Sequence, residues 1–159
     1  MTIQIFENSY ATVAEADEHF NNTIGGDSWV DSTEAVKEKA LITATRVLED
    51  FTWSGVVVDF EQPLAFPRVG SYYDPRVGKD ISLDSPQALS RLKLALYSIA
   101  NNLLTNPDSL SDEISVKSIT VGPIQLSGLS NSGKIPSVVK TILSPMQKNA
   151  GSNSWWRAN

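Results

Sequence analysis

Two stretches with helical periodicity bracket residues 52–84, a segment in which Gly55, Pro63, Pro67, Gly70, Pro75 and Gly78 recur. Proline lacks the N–H that a helix interior or central strand requires, and glycine weakens both. The flanks are therefore free to form helices while the segment between them has to turn. A loop this long within a compact domain is uncommon and is usually functional or clamped by a neighbour, so we expect an arm. Inside it, Pro67-Arg68-Val69-Gly70 nearly repeats as Pro75-Arg76-Val77-Gly78 on either side of Tyr72-Tyr73. Two copies are too few for a solenoid, and paired turns in a hairpin-like arm are the reading.

The flanks can be placed from their caps and stripes. Residues 1–11 look extended. Thr12 followed by Glu15 matches a capping box and predicts a short helix from Val13 to about Asn21. Asp31 and Glu34 give a second capping signal, with a long helix to about Phe51 whose stripe is Ala40, Leu41, Ala44, Val47, Leu48 and Phe51. Ser85-Pro86 starts another helix, running to about Leu104 with Leu89, Leu92, Leu96, Ile99, Ala100 and Leu103 inward and Arg91, Ser98, Asn101 and Asn102 outward. Ile42 and Leu94 fall on the polar sides of these two helices, which makes them candidates either for a subunit interface or for packing under the long loop. Ile114 to Gly128 reads as a small β-hairpin around Gly122-Pro123, and Pro136 opens a short helix ending near Pro145. The expected fold is thus mainly α: a small helical bundle with two long helices, short flanking helices, a small β-hairpin and a long structured loop. At 159 residues it fits one domain, residues 1–145 with the arm at 52–84, followed by a flexible tail at 146–159.

Charge is unevenly placed. Residues 1–34 carry −7 with no Lys or Arg, whereas residues after Glu113 carry +5 and no acid. The acidic end of one copy can attract the basic end of another, which favours head-to-tail association. Residues 66–79 are locally +2. The N-terminus lacks a secretory pattern, and no stretch approaches the roughly 20 apolar residues of a transmembrane helix, so no membrane role is expected.

Catalytic chemistry finds little to stand on. The absence of cysteine excludes disulfides and thiolate chemistry. His19 is the lone histidine; it has no nucleophile-elbow context, and with Glu15 and Glu18 it makes a weak metal set. It is expected to be solvent-exposed. The carboxylates Glu15, Asp17 and Glu18 read as a solvated face, and no glycine-rich phosphate loop precedes a Lys-Ser/Thr pair. We expect no enzyme and no cofactor. Trp155, Trp156 and Arg157 stand out instead, because Trp and Arg are enriched at binding hot spots and each indole can bury roughly 200 Å².

The order Tyr10-Ala11-Thr12-Val13-Ala14-Glu15-Ala16-Asp17, Trp29, Glu38-Lys39-Ala40-Leu41-Ile42, Ala44-Thr45-Arg46, Trp53-x-Gly55, Phe66-Pro67-Arg68 and Val121-Gly122-Pro123-Ile124 resembles a family of tailed-phage and prophage proteins labelled DnaT-like single-stranded-DNA-binding. Several of its members are similar to head-to-tail adaptor proteins. The resemblance covers about residues 9–145, with Phe66-Pro67-Arg68 standing where the family pattern has Trp-Pro-Arg. It implies a structural subunit forming a ring, typically of twelve copies, below the phage portal protein. Such a ring extends the DNA channel, touches packaged DNA transiently and without sequence preference, and docks a tail or stopper protein. The place implied is the head–tail neck of the virion, assembled in the bacterial cytoplasm. On this reading Phe66, Arg68, Tyr72, Tyr73 and Arg76 join Ile42 and Leu94 as subunit-interface residues, and Trp155, Trp156 and Arg157 form a portal-binding tail. The alternative is a single-stranded-DNA-binding protein. Such a binder needs a basic groove with aromatic platforms, and a sequence pI near 4.8 favours the adaptor.

Overall fold

The structure, a computed structural model, describes residues 2–107 and 135–148. Helix α1 (Val13–Asn21) begins with both halves of the expected capping box: Thr12 accepts from the Glu15 N–H and Glu15 from the Thr12 N–H. A single turn, α2 (Asp27–Val30), leads into α3 (Glu34–Glu49), and α4 (Pro86–Thr105) starts with Ser85 accepting from the Ala88 N–H. Helix α5 (Ser137–Leu143) runs into a 3₁₀ turn at Ser144–Met146. The central packing is α3 against α4, with α5 also packed against α4. Leu41, Leu48, Leu92, Leu96, Ile99, Val139 and Leu143 are fully buried there, and each contributes about 1.5–3 kcal/mol by leaving water.

Between α3 and α4 the chain forms two small antiparallel sheets instead of a loop. Strand β1 (Val56–Val57) pairs with β2 (Arg68–Val69), and β3 (Ser71–Asp74) with β4 (Lys79–Ser82). This corrects the expected fold. Helices predominate, but the molecule is not a helical bundle with a loop: the arm is β-structured and carries Trp53, Leu64, Phe66, Tyr72, Ile81 and Leu83 into the same core as the helices. The hairpin expected at Ile114–Gly128 lies outside the described residues.

Several local expectations are also corrected. Residues 4–9 make a turn rather than an extended run: the Gln4 carbonyl accepts from Glu7 and Asn8, and Phe6 adopts a left-handed backbone. Thr33, not Asp31, is the N-cap of α3, and Asp31 closes α2. Ile42 is buried rather than exposed. Together with Ala40, Leu41, Ala44, Thr45, Val47 and Leu48 it makes an arc of about 220° at 100° per residue, so α3 is covered on more than one side. Residues 146–148, expected to begin the tail, are held by the domain. Met146 is fully buried, its carbonyl accepts from Ser54, and the Lys148 N–H donates to the Thr52 carbonyl.

Candidate functional site

The arm is anchored from below by a network that begins at the N-terminus. The Tyr10 hydroxyl donates to Glu49 at the end of α3 and accepts from the Phe66 N–H, while the other Glu49 carboxylate oxygen accepts from the Ala65 N–H at 2.7 Å. Burial, then the Glu49 carboxylate, push the Tyr10 phenol well above its usual range. The rings of Phe6, Tyr10, Phe66, Trp53 and Phe51 follow one another edge-on or tilted, with centroids 4.9–6.2 Å apart, a favoured aromatic arrangement. The Phe66–Pro67 peptide is cis.

The sheets are held by backbone approach and by arginine. Gly55 has φ +71°, and a Cβ there would lie 2.3 Å from the Val69 carbonyl oxygen, so β1 and β2 can close only over a glycine. Arg68 donates to the carbonyls of Ser54, Gly55 and Ala65 at 2.8–3.2 Å. Asp74, fully buried, accepts from Arg91 at 3.0 Å and from the Arg76 backbone and guanidinium at 3.0–3.2 Å. Arg91 also donates to the Ile142 carbonyl at 2.7 Å, so one carboxylate ties β3 to α4 and, through Arg91, to α5. The hydrogen bonds from Arg76, supported by those from Arg91, hold Asp74 well below the ordinary carboxylate range. Arg91 was expected to face outward. It is buried because Asp74 supplies a partner from seventeen residues away that helical periodicity does not register.

These placements sort the sequence candidates. Phe66, Tyr72 and Ile42 are buried within the chain's own fold, which removes them from the accessible surface. Arg68 is committed to backbone carbonyls, and Arg76, although exposed, is paired with Asp74. Tyr73 and Leu94 remain exposed. Trp155, Trp156 and Arg157 lie outside the described residues. His19 is half-buried rather than free in solvent: it stacks on Tyr97 at 4.7 Å, and burial lowers its pKa. Asp17 accepts from the Trp29 indole and from Lys37, each within 2.8 Å. Among the described residues no group of three or more His, Asp or Glu side chains is placed to hold a metal, and no helix is long and apolar enough to cross a membrane.

What the arm presents outward was missed by sequence reasoning. Val56 and Val69 are cross-strand partners and both are exposed, and Val58 continues the same face two residues on. Phe60, two residues further along the chain, is 93% exposed. The signal was present in the run Val56-Val57-Val58-Asp59-Phe60, but without knowledge of the pairing its alternate residues cannot be assigned to a face. The whole arm sets five carboxylates (Asp59, Glu61, Asp74, Asp80, Asp84) against Arg68, Arg76 and Lys79, a net −2. Its surface is thus apolar and acidic.

A family model described as "Putative DnaT-like ssDNA binding protein" matches residues 2–158. No curated protein and no solved structure matches the chain. The residues behind the resemblance have structural tasks here: Tyr10 seats the arm, Asp17 holds Trp29, Gly55 permits β1–β2 closure, and Arg68 binds three carbonyls.

Proposed function

We propose that this chain, which belongs to the DnaT-like ssDNA-binding protein family, works by binding macromolecules rather than by catalysis, and that its described arm holds protein. The observation that carries this reading is the outer face of Val56, Val58, Val69 and Phe60, apolar and flanked by acids. Exposed apolar side chains gathered on one short segment point to an interaction site. Phosphate binding draws on uncommitted cations; of the arm's three, Arg68 is bound to backbone carbonyls and Arg76 to Asp74, which leaves Lys79 as the one without an ion pair among the described residues. In its finer form the proposal is an assembly component of the head-to-tail adaptor kind: copies of the chain form a ring on a phage portal, with Trp155, Trp156 and Arg157 toward the portal and a tail or stopper protein on the opposite side. An acidic wall also suits a channel through which DNA passes without sticking.

The family description supports a second reading, single-stranded-DNA binding, in which exposed Phe60 and Tyr73 would serve as stacking platforms. One pair of measurements separates the two. Fluorescence anisotropy with a labelled oligo-dT at physiological salt, and light-scattering mass with and without the portal encoded by the same phage or prophage, are run on the full chain. The protein-docking reading expects no saturable oligonucleotide binding and a stoichiometric collar on the portal. Saturable oligonucleotide binding that is lost in Phe60→Ala and Tyr73→Ala, with no portal complex, establishes the DNA reading instead.

A further inference from the structure

The tip of the arm is more defined than its exposure implies. The Glu61 N–H donates to the Asp59 carboxylate at 3.0 Å, and the Gln62 side chain accepts from the Asp59 N–H. The Gln62 amide in turn donates to the carbonyls of Leu64 and Pro67. The turn is held by its own hydrogen bonds, so Phe60 is presented at a fixed position between Asp59 and Glu61. A preformed element loses little conformational freedom on docking.

A complementary surface exists on the same molecule. Val36, Lys39, Thr43 and Arg46 lie along one stripe of α3. Val36 is 40% exposed, and Lys39 and Arg46 are both exposed. Among the described residues neither cation forms an ion pair. The two are seven residues apart, about 10 Å along the axis, and Asp50 sits one turn beyond Arg46. The stripe thus offers an apolar contact and two cations where the tip offers a phenyl ring and two carboxylates. Phe60 at 93% exposure touches almost nothing of its own chain, so the complementarity is available to another copy.

We propose that the Asp59-Phe60-Glu61 tip of one copy docks on the Val36–Lys39–Arg46 stripe of α3 in a second copy. This rests on the protein-docking reading of the arm and names its partner. The two surfaces differ and every copy carries both, so the contact is heterologous and propagates into a ring or a filament. Part of the attraction is between surface charges, so association weakens as salt rises.

The chain has no cysteine, so introduced thiols report only on each other. Glu61→Cys and Val36→Cys proteins, both altered at exposed positions, are mixed under mild oxidation and run on a non-reducing gel. The expected result is a cross-linked dimer in the mixture well above the level in either protein alone. It should be lost when Asp59→Lys is added to the first protein, and restored when Lys39→Glu and Arg46→Glu are added to the second. Cross-linking no greater in the mixture than in the separate proteins overturns the proposal, as does cross-linking indifferent to the charge changes. If cross-linking fails while the unmodified chain still forms a portal collar, only this contact falls and the protein-docking reading stands. Saturable oligo-dT binding without a collar removes the reading itself.

Discussion

The helices and the arm of this molecule reach the same core by different physical routes. Helices α1, α3 and α4 are specified by apolar stripes and caps, interactions between residues a few positions apart. The arm has strands too short to stand alone, since even three-stranded sheets need a packed face for independent stability. It is held by long-range polar pins: Tyr10 and Glu49 on residues 65–66, Arg68 on three carbonyls, and Asp74 between Arg76 and Arg91. Because these groups are spent on fixing the arm, its outer face is left to apolar side chains and to acids that form no ion pair among the described residues. A partner for the arm is therefore to be sought on its outer face: α3 and α4 show solvent polar side chains with single exceptions such as Val36 and Leu94, whereas the arm shows several valines and a phenylalanine.

The contrast can be broken most forcefully at Phe66. Phe66→Ala removes a fully buried ring and should lower stability by about 3–5 kcal/mol in urea denaturation; a loss near that of a surface change would mean the arm is not part of the cooperative core. Gly55→Ala places a Cβ against the Val69 carbonyl at a positive φ. It should cost more than the roughly 1–2 kcal/mol of the left-handed backbone alone, with hydrogen exchange accelerating in residues 52–84 before α4. Uniform acceleration would show that arm and helices unfold as one.

Acid separates the regions in a third way. The Asp74 pKa is depressed in the folded state, so the unfolded chain takes up the proton first as pH falls. The stabilisation is complete above the ordinary carboxylate value of about 4 and is lost as pH falls below it. Asp74→Asn should flatten the acid limb of the urea midpoint between pH 5 and 2, and an unchanged limb would assign that slope to other carboxylates such as Glu15 and Asp17. The smallest effect is expected at Phe60. Phe60→Ser should change stability by no more than about 0.5 kcal/mol while abolishing self-association measured by light scattering. A large stability loss would mean that the ring packs on its own chain.

Much of the helical part was legible because its signals are local. The Thr12–Glu15 box and the Ser85-Pro86 start each place a helix by chemistry within four residues. Leu92, Leu96, Ile99 and Ala100 follow from the period alone. The arm was not legible: β1 and β2 contribute two residues each, and their register depends on Gly55 meeting Val69. Arg91 failed for the same reason, its carboxylate lying seventeen residues back in β3. Among the interface candidates, Phe66 and Tyr72 were singled out for their residue types, but aromatic side chains in an irregular segment serve a core as readily as a partner. Phe60, the ring that faces solvent, carried no motif to mark it.

Trp53 and Gln147 pair across 94 positions of sequence, and the Ser54–Met146 and Lys148–Thr52 hydrogen bonds flank that pairing. During synthesis, therefore, α1 through α4 can consolidate as they emerge, but the root of the arm stays unfinished until residue 148 has left the ribosome. Closing so long a span costs entropy that only the assembled helices can offset. An incomplete chain consequently carries an arm whose root is still open, and translation itself sets the moment at which Trp53 gains its partner across the bridge.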